Sequence, residues 1–306
     1  MGRYSGINLA VFGDYMLDRW IEPSDVKMCP GQAVPDYISP FSIVEKPGGA
    51  GNQVMNVLSL GAECSAFGIW GGDDDPYGYI LSDAIGRESW RFLCDESFTT
   101  HYKEYYEYQG RLLSRVSNHD GMYDVDKMYD LVQYYGSNIT KYDGLIIADY
   151  NKGSMSEVVI RALMSLSKIA GIPVFVDPKF DNWKSYAGAT IFKCNKAEWL
   201  ANHFIVPSVP PYKNFVITCG EDGMDISQAA GHSSGVYHIP AVSGKVFDLN
   251  GAGDSVMAAM ALEYIYNGGD IVKSADVGNI AGSICVANKY TYQVTEEDLV
   301  EGGAFV

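Results

Sequence analysis

Near the end of the chain, Asp248-Leu249-Asn250-Gly251-Ala252-Gly253-Asp254 combines residue types that suit phosphate chemistry. Glycines at 251 and 253 let the backbone come close to a ligand. An apolar, helix-like stretch begins at Ser255, and a helix N-terminus offers free N–H groups and a positive dipole end to a phosphate. Asp254 stands beside the place where that charge would develop, which suits a general base acting on a hydroxyl. A plain glycine turn with an N-capping Asp remains the simpler alternative. A second glycine run, Lys46-Pro47-Gly48-Gly49-Ala50-Gly51-Asn52, leads into another helical pattern at 51–61. Its Gly48-Gly49 pair could admit a sugar beside the backbone, with Asn52 as a hydrogen-bonding side chain, or it could be only a helix-start turn. Neither run is a P-loop or a dinucleotide fingerprint, since GxxxxGK[ST] and GxGxxG are both absent.

These residues need a scaffold. Short apolar runs at 7–13, 64–70, 145–148, 173–177, 190–193, 215–218, 225–228 and 236–239 read as strands. Helical patterns occupy 76–86, 125–138, 156–170, 252–267 and 271–288. The alternation predicts a parallel sheet with helices on both faces. Several strands end in Asp or Gly, namely Asp14, Asp149, Asp177 and Thr218-Cys219-Gly220, and ligands of open α/β sheets bind at strand carboxyl ends. Residues 34–45 and 99–117 instead alternate apolar or aromatic with polar residues, as half-exposed antiparallel strands do. A small lid sheet accounts for them and for part of the 22 tyrosines; an ordinary peripheral hairpin is the alternative.

Composition limits the partners. The chain has 306 residues, 47% hydrophobic and 20% charged, enough for a large core. There are 22 Lys+Arg against 38 Asp+Glu, a formal charge of −16. That field argues against general nucleic-acid binding, and an anionic substrate would need a local basic pocket. No run is long and apolar enough to span a bilayer, and the first apolar run lacks a basic leader, so neither a membrane anchor nor a signal peptide is expected. The six cysteines show no CxxC or zinc-finger spacing and are expected to be reduced thiols of a cytoplasmic protein.

Taken together, the two glycine runs and Gly13-Asp14 resemble the ribokinase/PfkB family of sugar kinases. Gly48 to Asn52 is similar to the family's N-terminal signature, and Asp248 to Asp254 to its Asp-x-x-Gly-Ala-Gly-Asp signature. Asn195-Lys196-Ala197-Glu198 is similar to its Asn-x-x-Glu motif, and Thr218 to Gly223 to its nucleotide-site loop. The likeness runs in order along nearly the whole chain. Within the family, Gly13 to Trp20, Ala33-Val34-Pro35, Asp149-Tyr150-Asn151-Lys152-Gly153 and Asp177-Pro178-Lys179 resemble the heptose 7-phosphate kinase branch.

The resemblance implies one domain over 1–306, a ribokinase-like three-layer α/β/α sandwich with a mostly parallel sheet, and a β lid at about 15–45 and 99–117. It implies ATP and Mg²⁺ as cofactors, Asp254 as base, and N–H groups of Gly251, Ala252 and Gly253 as an anion hole. Asn195 and Glu198 would place Mg²⁺ through water. Thr218, Gly220, Gly223 and Asn279 would line the nucleotide. Asp14, Asp18, Gly48, Gly49 and Asn52 would hold sugar hydroxyls, and Lys152, Lys179 and Arg115 a distal phosphate. Arg19 is open between the site and a structural role. A homodimer through the lid is also implied.

Some residues depart from the pattern. Asn250 stands where Thr is usual, and Asn288-Lys289-Tyr290-Thr291 lacks the Gly usual before that Thr, which leaves K⁺ undecided. The interval from Glu198 to Val216 is short, and Pro207, Pro210 and Pro211 disfavour the usual helix there. Cys29-Pro30-Gly31 replaces the Ser-Pro-Glu usual in that branch's lid. No nucleotidyltransferase half is expected, so a nucleotide sugar would need a separate partner. A kinase of an unphosphorylated sugar or nucleoside, and a catalytically weak sugar- or nucleotide-sensing module, are the rival readings.

Overall fold

The computed structural model describes residues 2–72, 74–86, 88–118, 123–179, 181–205, 212–228, 236–242 and 244–305. The prolines at 207, 210 and 211 lie outside them. In chain order the strands are β1 (Asn8–Gly13), β2 (Tyr15–Met28), β3 (Pro35–Gly49), β4 (Glu63–Trp70), β5 (Trp90–Cys94), β6 (His101–Tyr108), β7 (Arg111–Ser117), β8 (Gly144–Asp149), β9 (Val174–Pro178), β10 (Ile191–Asn195), β11 (Asn214–Thr218), β12 (Met224–Gln228) and β13 (Val236–Ile239). The helices are α1 (Ala50–Ser59), α2 (Pro76–Ile85), α3 (Val125–Ser137), α4 (Glu157–Ala170), α5 (Lys196–Asn202), α6 (Ala252–Tyr266), α7 (Ile271–Val286) and α8 (Glu296–Glu301).

The main sheet runs β13-β12-β11-β10-β9-β8-β1-β4-β5. It is parallel from β11 to β5, and only β12 and β13 pair antiparallel. Alternate residues of one strand enter two cores, as a sheet covered on both faces requires. Leu9 and Val11 pack with α1, α6 and α7, whereas Ala10 and Phe12 pack with α3 and α4. The result is an α/β/α sandwich. Helix α6 is buried nearly all round from Asp254 to Tyr264, so its first turn is held rigidly under the strand ends. Among the described residues no helix is long and apolar enough to cross a membrane.

The lid is a four-stranded sheet in the order β3-β2-β6-β7. As the sequence suggests, β3 pairs antiparallel with β2 and β6 with β7, but β2 and β6 pair parallel, with Met16 opposite His101. The reason is directional. Strand β2 continues out of β1 and β6 follows β5, and β1 and β5 belong to the parallel part of the main sheet, so both lid strands leave it the same way. Arg19 on β2 bonds Glu45 on β3 at 2.7 Å and also pairs with Glu104 on β6. It therefore ties three lid strands together and is structural. Trp20 stacks on Tyr105 at 5.2 Å and meets Tyr290 at 5.3 Å, which seats the lid on the main body.

Candidate active site

The ends of β9, β10 and β11, the lid and the first turn of α6 enclose a polar cavity of about 420 Å³. Asp254 is on its wall, 5% exposed. Asn52 Nδ2 donates to Asp254 Oδ2 at 2.9 Å, and Gln53 Nε2 donates to Oδ1 at 3.2 Å. The Tyr150 hydroxyl donates to the same Oδ1. The two glycine runs, some 200 residues apart in sequence, thus meet through one carboxylate. Gly251 begins α6 at φ 82°, and a Cβ there would lie 2.7 Å from Asn52 Nδ2. Only glycine lets the turn approach that amide. The N–H groups of this first turn have no partner within the helix, and Gly251 to Asp254 line the cavity.

Cations converge on the same turn. Lys193 Nζ pairs with Asp177 Oδ2 at 2.8 Å, with both side chains buried. It also lies 3.1 Å from where a Cβ on Gly253 would stand. Burial pushes the Asp177 carboxyl up, against the lowering effect of Lys193 and Lys179. Lys179 Nζ is 2.8 Å from Glu198 Oε1 and 5.0 Å from the Tyr150 ring centre. Asn195 and Glu198 form a capping box at the start of α5, each side chain accepting the other's N–H at 2.8 Å.

On the lid side, Asp18 is 4% exposed and its Oδ1 has no hydrogen-bond partner. A buried carboxylate oxygen without a donor awaits one, and a polyol supplies it. Burial pushes Asp18 up to about 6; Lys103 and Arg115 oppose the rise, and Asp254 and Asp248 add to it. A Cβ on Gly48 would stand 2.3 Å from Asp18 Oδ2, so Gly48 gives the carboxylate its space. Burial, and next Lys103, push the Lys152 ammonium down, and Arg115 adds to this. Lys103 lies opposite Asp18 in the lid sheet and lines the same cavity, and Lys103 and Arg115 are the cations that act on Lys152.

A second cavity of about 610 Å³ adjoins the first. Thr218, Gly220, Leu249, Ala252 and Gly253 line both. Gly223, Met224, Val242, Val256, Asn279 and Val286 are among its own walls, mostly apolar as a heterocyclic base requires. Asn279 Nδ2 donates to the Pro240 carbonyl at 2.8 Å.

The structure redirects several residues picked from the sequence. Asp14 is fully buried, and its carboxylate accepts the N–H groups of Tyr150 and Lys152 at 2.9 Å each and of Ser154 at 3.1 Å, plus the Ser154 hydroxyl at 2.5 Å. It clamps the 150–154 loop, and each of its oxygens already carries two donors. Lys179 pairs with Glu198 and, like Lys103, lies over the Tyr150 ring and lines the polar cavity. Asn52 and Gly48 line neither cavity; they serve Asp254 and Asp18. Arg115 and Lys152 also lie outside both cavity walls, and Arg115 is exposed on β7. Gln53, Lys103, Tyr105, Tyr150 and Lys193 were not singled out. Their only signal was adjacency to the motifs or to the tyrosine-rich lid.

Asp177 and Glu198 share the cavity with Asp254. Among the described residues no group of three or more His, Cys, Asp or Glu could hold a metal directly. Each carboxylate oxygen of Glu198 has one donor and can accept a second from metal-bound water. The set fits Mg²⁺ carried by phosphates and held through water. At the loop linked to K⁺ by resemblance, Asp248 accepts from Asn250 N and Nδ2 at 2.9 and 2.8 Å and from Tyr290 N at 3.2 Å. Its Oδ1 is filled by Asn250, while Oδ2 has one donor and one open place.

A carboxylate at a glycine-rich helix start, between an apolar cavity and a lidded polar one, is the arrangement of a sugar kinase. Residues 116–298 match the model of the pfkB family carbohydrate kinases, and the chain belongs to that family. It is a phosphotransferase acting on a sugar hydroxyl. The bifunctional protein HldE of Caulobacter sp. (strain K31) is 31% identical over 97% of this chain. The chain spans 63% of that relative's length. Among solved structures, phosphofructokinase-2 from Escherichia coli in complex with substrates and products superposes with a TM-score of 0.76 at 18% identity, covering 98% of this chain and 99% of that one. Arabidopsis thaliana ribokinase complexed with ribose and ATP gives 0.70 at 14% identity, covering 99% and 100%. These structures share the ribokinase-like fold.

Proposed function

We propose that residues 1–306 act as one kinase domain that transfers the γ-phosphate of ATP to the anomeric hydroxyl of D-glycero-D-manno-heptose 7-phosphate. What supports the phosphosugar is Lys103, which lies opposite Asp18 in the lid sheet and lines the polar cavity with it, with Arg115 across from Tyr105 on the neighbouring strand. The likeness to HldE proteins agrees with it. Asp18 accepts sugar hydroxyls, while Asp14 positions the loop that carries Lys152. Asp254 takes the proton of the acceptor hydroxyl as that oxygen bonds the γ-phosphorus and the bond to ADP breaks. The N–H groups of Gly251, Ala252 and Gly253 and the Lys193 ammonium face the transferring group and hold its charge. Mg²⁺, when bound, neutralises phosphate charge; Asn195 and Glu198 would hold its waters. The adenine lies in the larger cavity, with Thr218, Gly220 and Gly223 on its phosphate side and Asn279 beside the base. Six free thiols and use of Mg-ATP fit the cytoplasm.

The test is ADP release with Mg-ATP and heptose 7-phosphate, heptose, fructose 6-phosphate, ribose or adenosine. Lys152→Met and Lys103→Met should each lower kcat/KM for heptose 7-phosphate by about 10- to 100-fold, the loss of one charge-assisted bond. Turnover of free heptose should be nearly unchanged. A neutral sugar preferred by the parent protein, or equal losses on both substrates, would exclude the distal-phosphate role. ATP and sugar binding without turnover would favour a sensing module.

We also propose that a second copy covers the lid. Val34, Phe41, Ile43, Leu112, Leu113 and Val116 are exposed there, on β7 at the sheet edge and on or beside β3 at the other. Light scattering should give twice the chain mass, and Ile43→Lys with Leu112→Lys should halve it. A monomeric parent protein would rule this out.

A further inference from the structure

We propose that the Tyr150 hydroxyl occupies the place of the sugar's acceptor hydroxyl on Asp254, and keeps water off that carboxylate until sugar displaces it. The inference rests on Asp254 acting as the base.

Three donors surround Asp254: Asn52 on Oδ2, and Gln53 and Tyr150 on Oδ1. Each carboxylate oxygen accepts about two hydrogen bonds, so Oδ1 is full. Asn52 and Gln53 come from α1 and are fully buried behind the site. Of the three, only Tyr150 lines the cavity. Oδ2 has one donor, the buried Asn52, whereas Tyr150 is the donor on the cavity side, so an acceptor hydroxyl that reaches Oδ1 replaces the phenol donor for donor.

The surroundings support a side-chain exchange on a fixed backbone. Asp14 holds the N–H groups of Tyr150, Lys152 and Ser154, so the loop does not move away. Ammonium groups of Lys103 and Lys179 lie 5.5 and 5.0 Å from the ring centre and steady the ring without touching its hydroxyl. Burial, reinforced by Asp254 and Asp177, keeps the phenol protonated well above its ordinary range, so it donates and does not compete as a base.

A kinase must keep ATP from water when no sugar is present. With the phenol removed, a water could take its place, give a proton to Asp254 Oδ1 and bond the γ-phosphorus. The bond between that phosphorus and the β–γ bridging oxygen would break, releasing ADP and phosphate.

The experiment is ADP release from Mg-ATP without sugar. Tyr150→Phe, with the parent Tm and ATP affinity, should raise it about fivefold, the effect of one hydrogen bond. Its KM for sugar should fall, because nothing has to be displaced. Adding Asp254→Asn should abolish the rise. Tyr150→Met, which fills similar space without a hydroxyl, should behave the same and stands in if the phenylalanine variant folds poorly. No rise in either variant overturns the inference, as does a rise that survives Asp254→Asn. If Asp254→Asn alone leaves sugar phosphorylation intact, the base assignment itself fails. Full dependence on Asp254 with no sugar-free release overturns the hydroxyl seat alone.

Discussion

Asp254→Asn should fold like the parent and bind Mg-ATP normally, yet phosphorylate sugar about 10³-fold more slowly, as expected when a positioned general base is lost. The amide can be accommodated in one of its two orientations. With its amide oxygen in the Oδ1 place the variant still accepts from Gln53 Nε2 and Tyr150, so Gln53 keeps its bond to Asp177 as well. The Tyr150 hydroxyl can accept as well as donate. Thermal unfolding and calorimetric ATP binding check the fold; ADP release with sugar checks the chemistry. A rate within about threefold of the parent, against the 10²- to 10⁴-fold range of such catalysis, would remove Asp254 from the mechanism.

Asp18→Asn should show two opposite effects. Sugar kcat/KM should fall about 10- to 100-fold, since an ionised acceptor for a hydroxyl is lost. Stability at pH 7 should rise by about 1–3 kcal/mol, because a carboxyl pushed up to about 6 is ionised there against its burial. The folded protein holds this proton more tightly than the unfolded chain. Parent stability from this group is therefore greatest below about pH 4, declines as pH climbs to about 6, and is level above. The variant should match the parent at pH 4 and exceed it at pH 7. Asp149, also pushed up to about 6 chiefly by burial, slopes the same way in both proteins and cancels in the difference. Urea unfolding at the two pH values reads this directly. A variant less stable than the parent at pH 7 would mean that Asp18 is not strained by burial.

Much of the fold was legible because its signals are local. Apolar runs bounded by Gly or Asp marked ten-odd elements within a few residues, from β1 to α7. Strand β2 was read only as part of a lid segment: Pro23 and its charged residues mask a strand whose register also slips between Pro23 and Asp25. Strand β5, with five residues, and helix α5, with seven, are too short for periodicity to mark. Asp254, Asp18 and the glycine turns were legible through their motifs. The roles of Asp14 and Lys179 were not. Position after a strand places a residue at the cleft, but the atom it reaches depends on contacts such as Ser154 with Asp14, 140 residues apart in sequence. Tyr150 was visible only as a residue in a motif, because its partner Asp254 lies 104 residues away.

The division of the cleft along the chain has a further consequence. Every residue lining the larger cavity falls between Thr218 and Val286, whereas the lid, Asp18, Lys103, Arg115 and Lys152 all precede residue 153. On the proposed roles, the lid side of acceptor choice and the base-binding side of donor choice fall in separate stretches of the sequence, which meet at the contact of Asn52, Gln53 and Tyr150 with Asp254 and along the packing of α1 on α6. Exchanging the first half between relatives, with those three residues kept, should transplant acceptor preference while leaving the phosphate donor unchanged. The exchanged half must also keep the α1 face that packs on α6 and the Arg3 pairing with Glu263.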